Sequence, residues 1–183
     1  MALAQAKIYT EEDYYNIPED VRAELIDGQI YYQAAPGLVH QIISGELYTA
    51  INIYLKSKKG KCRVFSAPFA VKLFEDRKNV VEPDISIICD LNKLNARGCT
   101  GAPDWIIEII SPGNPEHDYI RKLNLYKDAG VREYWIVDPR NEKVFVYFFD
   151  QAEFSVDSYT FQDRIKVNIY DDLWIDFQEL NLQ

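Results

Sequence analysis

Residues 104–138 constrain the fold more than any other stretch of the chain. They open with DWIIEII, an apolar run of strand length that Ser111-Pro112-Gly113 breaks. A helical segment follows to about Ala129, and EYWIVD, closed by Pro139, comes after it. Short apolar runs bounded by Gly and Pro read as buried strands. Asn114 is placed to cap the helix, with Pro115 at its first position and Glu116 in its first turn. Gly130 is placed to end it. A strand, a helix and a second strand in this order predict a parallel pair joined by a right-handed crossover. The chain must therefore contain a sheet with at least one helix on its face.

The flanking sequence fits around that unit. Thr10, followed by Glu11, Glu12 and Asp13, predicts a short helix with acids in its first turn, stopped before Pro18. Asp27-Gly28, within RAELIDGQIYYQA, is a hairpin signal between two β-prone runs. Apolar side chains at Val39, Ile43, Leu47, Ala50 and Tyr54 carry helical spacing across 38–57. Strands are expected at about 62–66, 69–74 and 80–89, and a loop over 90–103. Beyond Pro139 the chain is β-rich, with KVFVYFF, an aromatic-alternating run near 154–161, and RIKVNIY. The fold class is α/β or α+β, with a mixed central sheet flanked by helices. The 183 residues are expected to form one domain, with its core at about 10–178.

Composition narrows the function. The net charge of −9 argues against binding nucleic acid by bulk charge, because phosphate is attracted by clustered Lys and Arg. It leaves open a local site where a cation supplies the positive charge. The three cysteines, Cys62, Cys89 and Cys99, have no metal-knuckle spacing, and Cys89 sits in an apolar run as a small core residue would. They read as thiols of a reducing compartment rather than a disulfide framework. With no signal-like N-terminus and no run long enough to span a membrane, the expected location is cytoplasmic.

Three carboxylates interrupt apolar β-type runs: Glu24 in AELI, Asp84 between VVEP and ISII, and Glu108 in WIIEII. An unpaired buried charge costs several kcal/mol even after relaxation. A divalent cation can satisfy several acids at once. Solvated strand ends or arginine partners would also accommodate them. On a strand, Ile106, Glu108 and Ile110 share a face. Nuclease sites often place a Lys two residues beyond the acid, but here that place is Ile110. The next helix offers Asp118, Lys122 and Tyr126 at i, i+4 spacing on one face; a surface Asp118–Lys122 pair is the plainer account of that spacing.

Taken together, VVEPDISIICD, APDWIIEIISPGNPEHDYIRKLNLYKDAGVREYWIVDP and AELIDGQI followed by HQIISGEL resemble the Uma2 family, described as restriction-endonuclease-like members of the PD-(D/E)xK nuclease superfamily. The resemblance implies that Pro83-Asp84 is the family's Pro-Asp, with Asp84 a metal ligand, and that Glu108 is the second acid. It implies that Lys122 is a migrated catalytic lysine and that Glu24 completes the metal shell. His40 and Glu82 match positions of the family pattern and are supporting candidates, as are Asp118 and Tyr126.

The expected reaction is Mg²⁺- or Mn²⁺-dependent hydrolysis of DNA phosphodiester bonds, with Lys122 orienting the attacking water rather than deprotonating it. A homodimer is expected because two-fold symmetry suits a duplex. The alternative is a nuclease-fold binding or regulatory module of little or no activity, which the acidic composition favours. A glycosidase using Glu24 and Glu108 lacks an aromatic sugar platform. The stretch Lys56, Lys58, Lys59, Lys61 and Arg63 is the candidate DNA-facing patch, with a solvated helix end as its plain alternative. Tyr126, Tyr134 and Trp135 read as core.

Overall fold

A computed structural model describes residues 7–75, 78–111, 116–150 and 155–182, with the side chains of 116–119 outside the described set. The chain opens with α1 (Glu11–Tyr15), β1 (Ala23–Ile26), β2 (Gln29–Tyr32) and the long helix α2 (Leu38–Lys58). Next come β3 (Arg63–Ser66), β4 (Val71–Lys72), β5 (Val80–Val81) and β6 (Ile85–Ile88). A 3₁₀ turn at Leu91–Lys93 leads into β7 (Leu94–Asn95) and β8 (Gly98–Thr100). The central unit is β9 (Trp105–Ile109), α3 (Glu116–Ala129) and β10 (Glu133–Asp138). The chain then runs through β11 (Lys143–Phe148), β12 (Ser155–Thr160), β13 (Arg164–Lys166) and β14 (Trp174–Asp176).

Among the described residues, the strands form two six-stranded mixed sheets and a two-stranded ribbon, giving an α+β architecture. The first sheet runs β2-β1-β5-β4-β8-β7 and the second β12-β11-β10-β9-β6-β3, with β13-β14 as the ribbon. β9 and β10 pair in parallel, Glu108 opposite Ile136, as the crossover reading requires. The β1–β2 hairpin turns on Asp27 and Gly28, both at positive φ. That conformation matches the right-handed twist of the flanking strands. Thr10 closes a capping box on α1 with Asp13. α3 ends in a Schellman motif: the N–H of Val131 reaches the carbonyl of Tyr126, and that of Gly130 reaches Lys127. The Asn114–Pro115 cap lies outside the described residues.

Two layers of core flank the second sheet, because alternate residues of a strand face opposite sides. Trp105, Ile107 and Ile109 pack with Ile43, Leu47, Ile51 and Leu55 of α2, and with Ile165, Ile175 and Phe177 around the ribbon. Ile106 and Ile110 pack on the other side with Leu125 and Tyr126 of α3 and with Ile26, Val71 and Val81 of the first sheet. Glu133 is fully buried and accepts hydrogen bonds from Trp135, Asn168 and the Ile169 backbone, which pins the stretch after β13 to β10.

Four sequence expectations need correction. The strand read over 69–74 is confined to Val71–Lys72. The strand read over 80–89 is split, β5 joining the first sheet and β6 the second. Pro83 lies at that crossing and has no N–H to offer a continuous ladder. The stretch 90–103 is not all loop, since β7 and β8 pair within it. Cys62 and Cys89 are joined in a disulfide, and Cys99 is the free, buried thiol. The pairing follows from register: Arg63 opposes Ile88 across β3 and β6, so the next residues outward face each other.

Candidate active site

Each polar side chain of the centre arrives on a different element. Glu24 lies on β1, the same face as Ile26, which packs into the layer shared with α3. Asp84 sits where the chain crosses from β5 to β6. Glu108 lies on β9 between Ile106 and Ile110. Lys122 and Tyr126, one turn apart on α3, reach down over them.

These groups meet in a buried cluster, with Glu24 2%, Glu108 7% and Lys122 4% exposed. The Lys122 ammonium donates to Glu24 Oε1 at 3.0 Å and to Glu108 Oε1 at 3.0 Å, and lies 2.9 Å from Glu24 Oε2. The Tyr126 hydroxyl donates to Glu108 Oε1 at 2.6 Å. Asp84 Oδ2 accepts the Ile109 N–H at 2.8 Å and lies 3.0 Å from His40 Nε2. His40 heads the stripe that continues through Ile43 and Leu47, so the first turn of α2 reaches Asp84 while the rest of the helix packs on the sheet. Its Nδ1 is buried without a hydrogen-bond partner.

Among the described residues, the three carboxylates of Glu24, Asp84 and Glu108 face one ammonium and the His40 ring, and the site is largely shielded from water. Burial pushes the Glu108 carboxyl up to about 7; Lys122 opposes the shift, while Asp84 and Glu24 add to it. The Tyr126 hydroxyl is pushed well above its ordinary value by burial and by Glu108.

Asp84, Glu108, Lys122, Glu24, His40 and Tyr126 therefore lie together. Glu82 joins only through its backbone N–H, which donates to Glu24 Oε1 at 2.9 Å. Its carboxylate turns away to the Tyr14 hydroxyl at 2.7 Å and Arg22 at 3.4 Å. The side chain of Asp118 lies outside the described residues. The sequence offers Tyr126 both as core and as a supporting candidate. Its ring is core, in edge contact with Tyr134, but its hydroxyl is part of the cluster. Tyr14, Arg22 and the Ile109 N–H were missed, and no local pattern marks them.

The basic stretch lies elsewhere. Lys56, Lys59 and Arg63 line a cleft of about 600 Å³ with Tyr48 and Asn52. Lys58 pairs instead with Asp172. Lys56 stands about 24 Å along α2 from His40, at a rise of about 1.5 Å per residue.

A family model described as "Putative restriction endonuclease", that of Uma2, matches residues 11–178. The chain belongs to the Uma2 family. One relative is similar in sequence, and one solved structure in fold. The uncharacterized protein slr1290 of Synechocystis is 24% identical over 160 residues, which cover 85% of this chain and 83% of that protein. A crystal structure from Anabaena variabilis, named "a putative nuclease belonging to DUF820", superposes with a TM-score of 0.76 at 24% identity, covering 93% of this chain and 96% of the other. It shows that the Uma2 chain has the fold of that neighbour.

A nuclease of this kind implies a divalent cation at the centre. Among the described residues, no three His, Cys, Asp or Glu side chains stand in a ready-made metal set. Mg²⁺ does not need one; it keeps most of its waters and takes one or two carboxylates. Among the described residues, Asp84 Oδ1 and Glu108 Oε2 accept no hydrogen bond, and neither is a fully buried atom lacking a partner. Hard oxygen donors with unused lone pairs, in a cluster of excess negative charge, fit a hard cation.

Proposed function

We propose that this Uma2 chain hydrolyses phosphodiester bonds of DNA with the help of Mg²⁺ or Mn²⁺, held by Asp84 and Glu108. The observation that supports this most is the meeting of Glu24, Glu108 and Lys122, from three separate elements, beside Asp84. The family match supports the nuclease class.

A divalent cation at these carboxylates would supply Lewis acidity at the phosphate and lower the pKa of a bound water. The protein's own groups do the rest. Lys122 holds positive charge where the phosphoryl oxygens gain negative charge, and it orients the attacking water. Tyr126 and Lys122 both donate to Glu108 Oε1, which fixes the carboxylate and leaves its other oxygen available. The Ile109 N–H and His40 hold Asp84 through Oδ2 in the same way. Glu24 holds Lys122 against Glu108 and is the third candidate ligand. Cleavage of both strands of a duplex would bring two copies together about a two-fold axis.

A second reading, a nuclease-fold regulatory module without turnover, draws on the net charge of −9. Plasmid cleavage separates the two. Purified protein is expected to nick or cut plasmid with Mg²⁺ or Mn²⁺ and not with EDTA. Asp84→Ala and Lys122→Met are expected to lose at least about 100-fold in rate. Cutting that survives Asp84→Ala, or no cutting with either metal, rejects the hydrolytic reading.

A further inference from the structure

Beside the cluster, one cation is held by a ring rather than by an acid. Glu24 on β1 directly opposes Tyr31 on β2, so their side chains share a face of the hairpin. The Arg121 guanidinium lies 4.8 Å from the centroid of the Tyr31 ring. Arg121 is the neighbour of Lys122 on α3, and Lys122 binds Glu24. The Arg121–Tyr31 pair therefore flanks the Glu24–Lys122 pair, one residue away on α3 and directly across the hairpin on β2. Tyr31 is 37% exposed and Arg121 half-buried, which places the pair between the buried cluster and solvent.

The other cations here are engaged by acids: Lys122 by Glu24 and Glu108, Arg22 by Glu82, Lys72 by Glu11 and Glu75. Among the described residues, Arg121 makes no carboxylate contact. Among the described residues, the centre holds more carboxylates than cations, so an approaching phosphate gains from a further cation at its edge. A guanidinium presents paired donors suited to phosphate oxygens, and an aromatic face holds its plane without neutralising it.

We infer that Arg121, held in place by Tyr31, binds a backbone phosphate of the DNA strand next to the one that is cut. This rests on the phosphodiesterase reading of the adjoining centre. Arg121 is then a substrate-binding residue and Tyr31 a positioning residue.

The test measures binding of a fluorescent DNA duplex by anisotropy over a range of salt, with Ca²⁺ in place of Mg²⁺, alongside cleavage kinetics in Mg²⁺. Arg121→Ala is expected to weaken binding about tenfold and to reduce the slope of log affinity against log salt by about one phosphate's worth. In kinetics it raises KM and leaves kcat close to that of the parent. Arg121→Lys restores the salt slope, since the charge returns. Tyr31→Phe behaves as the parent, and Tyr31→Ala weakens binding in the parent but not in Arg121→Ala. If the parent binds and cuts DNA while Arg121→Ala matches it in affinity and slope, this inference fails and the phosphodiesterase reading stands. If the parent neither binds nor cuts DNA, both fail.

Discussion

Lys122 bridges two carboxylates with almost no access to water, so removing it leaves both acids with less compensation. Taking one partner out of a buried ion pair typically costs about 3–5 kcal/mol. Lys122→Met is expected to lower unfolding stability by that order in urea melts, apart from its effect on cleavage. The Glu108 carboxyl gives a pH signature in the metal-free protein. Folded, it titrates near 7, against an ordinary value of 4.5. Between those values the folded chain holds a proton that the unfolded chain releases, so stability falls as pH rises. The stability of the parent relative to Glu108→Gln is therefore expected to drop from about pH 4.5 to about pH 7 and then level off, as urea midpoints at a series of pH values would show. At this scale the sequence was informative about the acids, because charge inside an apolar run stands out. It was silent about the Ile109 N–H on Asp84 and about Tyr14 on Glu82, since contacts across 25 and 68 positions leave no local pattern.

Among the elements, the β9–α3–β10 unit and the Asp27-Gly28 hairpin were legible because length, period and turn chemistry agreed. The short strands were not. Two or three residues, as in β4, β7 and β8, are too few to show alternation, and pairing across the sheet decides them. The split between β5 and β6 did carry a signal in Pro83. That crossing carries the chain from one sheet to the other at Asp84, which explains why this acid stands at their junction. β8 makes a sharper prediction. A Cβ on Gly98 would lie 2.1 Å from the Ala70 carbonyl oxygen, at a φ of +129° that side chains rarely adopt. Gly98→Ala is expected to cost about 3 kcal/mol or more, read as a lower urea midpoint, because strain and overpacking add at one position.

For the molecule as a whole, the two core layers on the second sheet set the frame, and the Cys62–Cys89 bond ties β3 to β6 within it. The odd cysteine count and a separation of 27 residues did not point to that bond; only the antiparallel register shows it. Cross-linking a loop of this size typically contributes about 3 kcal/mol. Cys62→Ser with Cys89→Ser, or reduction of the parent, is expected to lower stability by that order, measured by thermal melts with and without reductant. The acidic net charge is also unevenly distributed. The Lys56–Arg63 cleft lies at the far end of α2 from His40, so the basic stretch seen in the sequence is remote from the carboxylates.

Lys122 also has a mechanical role. Glu24 belongs to one sheet and Glu108 to the other, so a single amine rivets the two halves of the molecule together at the point where chemistry is proposed. Any event that draws the amine toward an incoming anion slackens that rivet. Turnover and cohesion compete for the same atom, and tightening the seam by other means would relieve the conflict.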